Sequence, residues 1–449
     1  MSEGKEAPRP GLHVLLLTYF FPPMGGAGVQ RTVKFTRYLP EHGIVPTVVC
    51  ADSRAYPSDD SLLEQIPPGT RVIRLGHTSL PARILSLQRR WRRSSSAGGE
   101  SRRSDAATHA WRDRLLSAWG ALQVPDDKAS WARHARRAAA TVIAQIPVDI
   151  VVSSSPPVSA HGTALRIARE ADVPWVADFR DLWTGNPAYQ GPAWRRSLDR
   201  RMERRWLSAA DGLVTVSAPM KAALARVAGS AVPTTVIPNG YDEEDFTGIA
   251  PTPSEPGLFR IVHAGTFYGH QSPAPFLRGV QQWLDRAQSL GDQLRVRFIG
   301  SVGSRFDAAL AGFERRHPGV LELHGYVDHA EALRQMVSAD ALLLVVGGGD
   351  ASHGVVTGKI YEYLRAARPI LLVGSARSEA ARLVRDCEAG EVVEEERTDE
   401  IARILERWIV DGAAPRPDPT LTKQYERRLL TGRLADFLYA VHERYQSRS

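Results

Sequence analysis

Residues 18–31, TYFFPPMGGAGVQR, follow the first apolar run of the chain and combine a proline pair with three glycines and an arginine. Glycine lets the backbone approach a ligand closely, and the amide N–H groups of a following helix start can point at an anion. The helix end adds roughly half a positive charge. Gly25 and Gly26 could therefore contact a diphosphate, although glycines here would also suit an ordinary tight turn.

A second set of polar residues follows a strand-like run in the sequence WVADFRDLW. Asp178, Arg180 and Asp181 stand at the carboxyl end of this run, where ligands approach parallel sheets. They could act on a substrate, or they could form a salt-bridge cluster that fixes the loop. His161, at the start of a predicted helix, could line the same region, or it could cap the helix or pack in the core.

Lys359 and Glu362 are three residues apart on a predicted helix and therefore share one helix face. A fixed ammonium beside a helix start can stabilise negative charge that develops on a phosphate oxygen. The alternative is a surface ion pair, worth only about 0.3–0.5 kcal/mol. The preceding glycine-rich segment, VVGGGDASHG, favours a ligand.

Two other acidic groups have simpler interpretations. Asp126 and Asp127 precede a predicted helix start and are expected to be helix caps. The acidic run at 242–245 could suggest a metal, but it lies in a proline- and glycine-rich stretch and is expected to be a solvated linker. We predict no metal site.

Short β-branched runs alternate with longer amphipathic stretches over most of the chain. We predict strands at 12–18, 44–51, 71–75, 148–154, 173–178, 212–217, 234–238, 259–266, 294–301, 320–327, 339–346 and 368–375. Helices are predicted at about 27–42, 129–145, 158–171, 192–210, 218–228 and 419–447. Nearly continuous apolar strands indicate parallel sheets covered on both faces.

This pattern predicts an α/β protein with two doubly wound, Rossmann-like domains facing across a ligand cleft. We assign 1–240 to the first domain, 241–257 to a linker, 258–418 to the second domain and 419–449 to a C-terminal helix. Six apolar residues give that helix one apolar face: Leu429, Leu430, Leu434, Phe437, Leu438 and Val441. The helix is expected to return to the first domain.

Composition indicates a folded protein located in the cytoplasm. Of 449 residues, 43% are hydrophobic and 24% are charged, and no apolar run is long enough to span a bilayer. Two distant cysteines, Cys50 and Cys387, predict neither a disulfide framework nor a metal cluster. The N-terminal residues lack the apolar core of a signal peptide.

The net charge of +7 is concentrated partly in an arginine- and serine-rich insertion at about 87–110. It could be a solvated loop, or Arg89, Arg90, Arg92 and Arg93 could contact an anionic membrane surface. Nucleic acid is less favoured, because Trp91 is the only aromatic residue of the arginine cluster.

A dinucleotide site is the main alternative at the glycine corner. Gly26 and Gly28 supply a G-x-G, and Asp52 could bind a ribose. Arg31 occupies the third glycine position, however, so that fingerprint is incomplete. No Gly-Lys-Ser/Thr sequence follows either, which excludes a P-loop here.

Several motifs together resemble family 4 glycosyltransferases of the branch associated with surface-polysaccharide and lipid-linked glycan synthesis. In chain order they are FPPMGGAGVQR, SSSPPVSAHG, WVADFRDLW, IPNGYD, HAGTFYG and TGKIYEYLRAARPIL. The resemblance implies the GT-B fold, a nucleoside-diphosphate sugar donor, transfer with retention of anomeric configuration and no catalytic metal or other cofactor. It covers nearly the whole chain apart from the basic insertion.

The resemblance also implies roles for individual residues. Gly25 and Gly26 would approach the donor, Lys359 would pair with the leaving diphosphate, and Glu362 would hold the ribose hydroxyls. Additional donor contacts are implied for Gly265, Thr266, Tyr326, Val327 and His353. Asp178, Arg180, Asp181, His161 and Lys359 are the candidate catalytic residues.

Two features depart from the family pattern. The family usually has two glutamates with seven residues between them. In this chain the position of the first, eight places before Glu362, is occupied by Gly354, so that glutamate is missing. His353 could replace part of its contact with the sugar, or it could be an exposed loop residue. The loop at 265–270 also lacks the Arg and Lys that often grip the phosphates, which leaves His270 or another residue to compensate.

The resemblance therefore implies a retaining glycosyltransferase acting on a lipid-linked or polysaccharide precursor. It is expected in the cytoplasm, either free there or peripheral at the inner face of the plasma membrane. Transfer to a small secondary metabolite and non-catalytic binding of a nucleotide sugar are the alternatives within this fold. A nicotinamide-dependent oxidoreductase and a nucleic-acid binder are the alternatives outside it.

Overall fold

The computed structural model describes residues 11–448 apart from 54, 55, 57, 77–122, 188, 190, 230, 254, 268–270, 348–353, 355 and 416. The basic insertion predicted at 87–110 and His353 lie outside the described residues, so both predictions stay as they are. Among the described residues, no helix is long and apolar enough to cross a membrane.

The first sheet of the described chain has seven parallel strands in the order β3-β2-β1-β4-β5-β6-β7. The strands are β1 Leu12–Thr18, β2 Ile44–Asp52, β3 Arg71–Gly76, β4 Ile150–Ser155, β5 Trp175–Phe179, β6 Gly212–Thr215 and β7 Thr234–Val236. The helices described here are α1 Ala27–Tyr38, α2 Ala129–Ile143, α3 Ser159–Ala171, α4 Ala193–Leu207 and α5 Ala218–Ala228.

The second sheet has six described strands, all parallel, in the order β10-β9-β8-β11-β12-β13. They are β8 Phe259–Ala264, β9 Leu294–Ile299, β10 Leu321–His324, β11 Ala341–Val345, β12 Ile370–Val373 and β13 Gly390–Val393. The accompanying helices are α6 Ala274–Arg286, α7 Asp307–Arg316, α8 His329–Val337, α9 Lys359–Ala366, α10 Glu379–Asp386 and α11 Thr398–Leu405.

Both faces of the second sheet are buried, which explains its continuous apolar strands. Along β11, Leu342 and Leu344 pack into one apolar cluster while Leu343 and Val345 pack into another. Successive side chains of a strand point to opposite faces, so a strand covered on both faces needs apolar residues at every position. The prediction of two doubly wound α/β domains is confirmed.

The chain divides into two compact units. The first contains the described parts of Met1–Val216, Met220–Ile237 and Thr431–Ser449, and the second contains those of Ser217–Pro219 and Pro238–Leu430. The acidic run at 242–245 is not a free linker. Asp242 caps a 3-10 helix, Glu243–Phe246, by accepting a hydrogen bond from the Glu244 amide at 3.0 Å.

The C-terminal segment differs from the continuous helix predicted at 419–447. A short helix α12, Pro419–Thr422, and a 3-10 turn, Lys423–Tyr425, precede helix α13, Arg427–Gln446. Glu426 is extended because the chain here pairs with Tyr241, whose amide donates to the Tyr425 carbonyl at 3.0 Å.

From Thr431 onwards, α13 belongs to the first unit. The Tyr439 hydroxyl donates to the His42 carbonyl at 3.0 Å, and the Tyr445 hydroxyl donates to the Asp172 carboxylate at 3.0 Å. Leu438 is fully buried, whereas Leu429 is 44% exposed, so the prediction that Leu429 belongs to the apolar face is wrong.

We expect Leu438→Ala to lower the free energy of unfolding by about 2–5 kcal/mol, because it removes buried methyl groups and leaves a cavity. Leu429→Ala, the same substitution on an exposed residue of the same helix, should change it by less than about 0.5 kcal/mol. Urea denaturation measures both. Equal losses would contradict the packing described for α13.

Candidate functional site

The glycine corner of the first unit lies between β1 and α1. Gly26 precedes α1 with φ 100°, a left-handed conformation that disfavours residues with a side chain. No side chain caps α1, and its first turn contains no acidic residue. The corner is fixed from outside: Arg74 donates to the Pro22 carbonyl at 3.0 Å, and the Asp59 amide donates to the Pro23 carbonyl at 2.7 Å.

Asp178, at the end of β5, forms a buried ion pair with Arg31 of α1. The Arg31 Nη2 lies 2.8 Å from Asp178 Oδ1, and Nε lies 3.0 Å from Oδ2. The Ser154 hydroxyl donates to Oδ2 at 2.8 Å, and Arg31 also donates to the Ile237 carbonyl at 2.8 Å. Both side chains are almost fully buried. This network fixes α1 relative to the carboxyl ends of β4 and β5 and does not leave Asp178 at the protein surface.

Arg180 is also engaged with protein groups. Its Nε donates to the Ser155 carbonyl at 2.9 Å, and its Nη1 donates to the Gly28 carbonyl. Burial lowers the pKa of Arg180. Asp178, Arg180 and Asp181 therefore do not form the three-membered salt-bridge cluster considered from the sequence. Arg180 instead ties the first turn of α1 to the end of β4.

Asp181 lines a pocket of about 250 Å³ within the first unit. The lining residues are Ser155, Pro156, Val158, Asp181, Leu182, Trp183, Asn186 and Tyr189. Desolvation there raises the pKa of Asp181, although the residue remains accessible to solvent. The Ser155 hydroxyl is buried and has no hydrogen-bond partner among the described residues. The pocket thus combines apolar walls with a carboxyl group and a hydroxyl group.

Aromatic stacking gives this pocket a rigid side. Trp183 stacks on Trp206 of α4, with ring centroids 5.2 Å apart and an interplanar angle of 22°. The Tyr189 hydroxyl donates to the Asp199 carboxylate at 2.7 Å. Both aromatic lining residues are therefore held by α4.

His161 is a core residue and does not line a ligand site. It is fully buried, with its Nδ1 2.8 Å from the Ser153 hydroxyl and its ring 4.2 Å from that of Phe179. Burial lowers the pKa of His161 to about 3, so the ring is neutral at physiological pH. The packing alternative considered from the sequence is the one found.

Asp126 does not cap the helix it precedes, because the N-cap of α2 is Lys128 and no side chain caps that helix. Its carboxylate accepts from the Lys128 amide at 2.9 Å, before α2, and from the Ser159 amide at 2.8 Å, at the start of α3. Asp127 instead pairs with the Lys128 ammonium at 2.5 Å. Asp126 therefore joins two helix starts.

In the second unit, Lys359 lies directly against Gly265. Gly265 follows β8 with φ 134°, and a Cβ added to it would overlap the Lys359 ammonium. The Tyr363 hydroxyl accepts from the Ala264 amide at 2.8 Å and so ties the end of β8 to α9, which begins at Lys359. The structure brings together Gly265 and Lys359, which are far apart in sequence, and Thr266 follows directly.

The Lys359 ammonium is partly desolvated. Burial lowers the pKa of Lys359 to about 8, while Glu362 acts in the opposite direction. No carboxylate lies within ion-pair distance of Lys359 in the described part of the chain. His263 belongs to β8, and burial together with the Lys359 charge lowers the pKa of His263 to about 3. A cation in this setting can interact strongly with an anion, because water competes less.

Glu362, one turn further along α9, is half-buried and contacts His329 of α8. The His329 Nε2 lies 3.1 Å from Glu362 Oε1, and this interaction raises the pKa of His329. Tyr326 is 92% exposed in the segment after β10, while Val327 packs against the core. Gly354, where the family has its first glutamate, is half-buried and has no side chain to replace that group.

Residue type and spacing were not sufficient to find several members of these sites. Arg31 was visible only as a mismatch to a dinucleotide fingerprint. His329, Tyr363, Ser155 and Trp183 carried no signal of their own in the sequence. Within the described residues, no group of three or more His, Cys, Asp or Glu side chains could hold a metal ion.

Residues 25–240 match the family model of the glycosyl transferase 4-like domain. The chain is similar in structure to sucrose-phosphate synthase from Thermosynechococcus elongatus, with 14% identity, 98% of this chain and 100% of that chain covered, and a TM-score of 0.61. The structural likeness shows that this chain has the GT-B fold.

Two further solved structures share this fold. Anabaena HepE, solved in complex with UDP, is 13% identical, with 96% of this chain and 100% of that chain covered and a TM-score of 0.59. α,α-Trehalose 6-phosphate synthase from Burkholderia multivorans is 13% identical, with 98% and 99% covered and a TM-score of 0.58. No curated protein sequence matches this chain.

We expect Asp178→Asn to lower the free energy of unfolding by about 3–5 kcal/mol, because it leaves the buried Arg31 guanidinium without its counter-charge. Asp181→Asn, the same change three residues away, should alter stability by less than about 0.5 kcal/mol, because Asp181 has no ion pair to lose among the described residues. Thermal and urea unfolding of the two variants provide the test, and equal stability would argue against the ion pair.

The pKa of Lys359 predicts a pH dependence of diphosphate binding. The ammonium is present below about pH 8 and is lost as the pH rises through that value, so affinity for UDP should fall above pH 8. The Lys359→Arg variant keeps its charge over this range, since the guanidinium pKa is above about 12. Isothermal titration at several pH values measures both. Parallel pH profiles for the wild type and this variant would exclude Lys359 as the titrating group.

Proposed function

We propose that the protein transfers a sugar, with retention of anomeric configuration, from a nucleoside-diphosphate sugar to a hydroxyl group of a lipid-linked or polysaccharide precursor. The observation that carries this proposal is the desolvated Lys359 ammonium against Gly265, one helical turn from the Glu362 carboxylate. A diphosphate and a ribose are chemically complementary to these two groups. The match of residues 25–240 to the glycosyl transferase 4-like domain supports sugar transfer. The motif resemblance supports the retaining mechanism and the acceptor class.

The donor half of the reaction belongs to the second unit in this proposal. Lys359 would bind a diphosphate oxygen and stabilise the charge that develops as the bond from the anomeric carbon to the diphosphate breaks. Glu362 would accept hydrogen bonds from the ribose hydroxyls after exchanging its contact with His329. Thr266, Tyr326, Val327 and His353 remain proposed donor contacts. UDP is the first nucleotide to test, because HepE was solved with UDP and with UDP-glucose.

The acceptor half belongs to the first unit. We place the acceptor in the pocket of Ser155, Asp181 and Trp183, whose apolar walls suit a ring and whose polar groups suit its hydroxyls. The acceptor oxygen bonds to the anomeric carbon on the face that the diphosphate leaves, and the acceptor proton passes to the leaving diphosphate. Asp181 would orient the acceptor hydroxyl, and Gly25 and Gly26 would approach the donor with their backbone. No metal is needed to supply positive charge in this scheme.

The roles of Asp178 and Arg180 change within this proposal. Both are held by protein groups, so we assign them to positioning the glycine corner relative to β4 and β5. Asp181 is then the carboxylate that acts on the acceptor.

The direct test is a transfer and donor-hydrolysis assay with a panel of UDP- and GDP-sugars. Lys359→Ala should lower turnover by about 100-fold or more, the range expected when a group that stabilises developing charge is lost. Lys423→Ala removes an exposed lysine of the same unit and should keep wild-type turnover. Asp181→Asn should keep the affinity for UDP while lowering transfer.

Two results would contradict the proposal in different ways. Tight UDP binding without transfer or hydrolysis of any donor would indicate a non-catalytic nucleotide-sugar-binding protein, which the glycine at position 354 would favour. Wild-type turnover in Lys359→Ala would remove the ammonium from the mechanism altogether.

A further inference from the structure

Helix α4 buries both of its acidic residues and exposes four of its six arginines. Its two carboxylates, Asp199 and Glu203, are both buried. Asp199 accepts from Arg195 at 2.7 Å and from the Tyr189 hydroxyl, and Glu203 accepts from the Thr184 hydroxyl. No negative charge of α4 therefore faces solvent.

The outward side of α4 carries two apolar residues and four arginines, which we call the α4 surface. Trp194 is 55% exposed and Leu198 is 37% exposed. The arginines, all exposed, are Arg200, Arg201, Arg204 and Arg205. Spacings of four, three and four residues align Trp194, Leu198, Arg201 and Arg205 along one helical row, and Arg200 and Arg204 lie on the adjacent row.

None of these four arginines has a hydrogen bond or an ion pair among the described residues. Some exposed arginines on other helices do pair with a carboxylate, as Arg403 does with Asp399 at 2.8 Å. Four uncompensated guanidinium groups on about two turns of helix form a local positive surface. Such a surface attracts anions.

We propose that the α4 surface docks the first unit on an anionic membrane. A helix that carries arginines on its polar part and exposed Trp and Leu beside them is typical of segments that lie in the membrane interface. Tryptophan is enriched at that depth, where its ring is apolar and its N–H remains near water. Nucleic acid would explain the arginines but not the exposed Leu198 next to Trp194.

This surface consists of other residues than the arginine-rich insertion in which the sequence predicted membrane contact. It consists of described residues, and it lies on the helix that also holds Trp183 and Tyr189 of the pocket. Docking through α4 does not depend on nucleotide binding, so it can be tested whether or not sugar transfer is established. A membrane-bound acceptor would nevertheless be delivered to the same unit.

The experiment is sedimentation of the full-length protein with vesicles of equal amounts of phosphatidylglycerol and phosphatidylcholine, and with vesicles of phosphatidylcholine alone. We expect binding to the anionic vesicles only, weakened by salt. Each arginine near an anionic leaflet contributes about a fivefold change in partitioning. The variant R201Q/R205Q should therefore bind about 25-fold more weakly.

The matched control is R278Q/R286Q, which removes two exposed arginines from α6 of the second unit and changes the net charge equally. It should partition like the wild type. Trp194→Ser combined with Leu198→Ser should weaken binding several-fold without changing its dependence on salt, since no charge is removed. Circular dichroism and UDP titration should be unchanged in all these variants.

Three outcomes would overturn the proposal. The wild type could fail to bind anionic vesicles, or R201Q/R205Q could bind as tightly as R278Q/R286Q. The third outcome is that a double-stranded oligonucleotide displaces the protein from vesicles, and that binding of the oligonucleotide depends on Arg201 and Arg205 but not on Trp194. That result would identify a nucleic-acid surface instead.

Discussion

The Lys359 ammonium lies where any residue larger than glycine at position 265 would place its side chain, and the proposed donor site depends on this contact. β8 ends at Ala264, and the Tyr363 hydroxyl holds that end to α9 by a buried hydrogen bond, which keeps the backbone of Gly265 near the start of α9. Partial burial makes the ammonium less stable, as its lowered pKa indicates, and makes it a stronger partner for a phosphate oxygen. The same helix presents Glu362 one turn later, where it could receive a ribose.

The first unit uses its charges differently. Asp178 and Asp181 are three residues apart, yet one is enclosed by Arg31 and Ser154 while the other lines a solvent-accessible pocket. A carboxylate in a saturated ion pair fixes the backbone around it, whereas a carboxylate beside apolar walls can act on a substrate. The contacts of each aspartate, and not its residue type, therefore decide the role that we propose for it. The groups that contact Asp178 come from elements far apart in sequence.

The sequence was most informative about the strands. Parallel strands covered on both faces require apolar residues at every position, so their centres were predicted to within a few residues. Strand β13 was missed because Gly390–Val393 offers only two valines before a run of acids. The break at Glu426 was missed because it depends on pairing with Tyr241, which no local pattern shows.

The site was predicted in part. Lys359 and Glu362 share a helix face as their spacing implied, but the contacts of Lys359 with Gly265 and of Glu362 with His329 depend on the tertiary structure. His161 had the residue type of a catalytic base, yet its environment is a core of Phe179 and Trp175. Helical spacing could have identified the outer face of α4, but only the structure shows that its acids turn inward.

The most direct test of the donor site is a crystal structure of the protein with UDP. We expect a diphosphate oxygen within hydrogen-bond distance of the Lys359 ammonium and the ribose hydroxyls on Glu362, with the contact between Glu362 and His329 broken. Nucleotide density at another place, with Glu362 still bound to His329 and no phosphate at Lys359, would contradict the account.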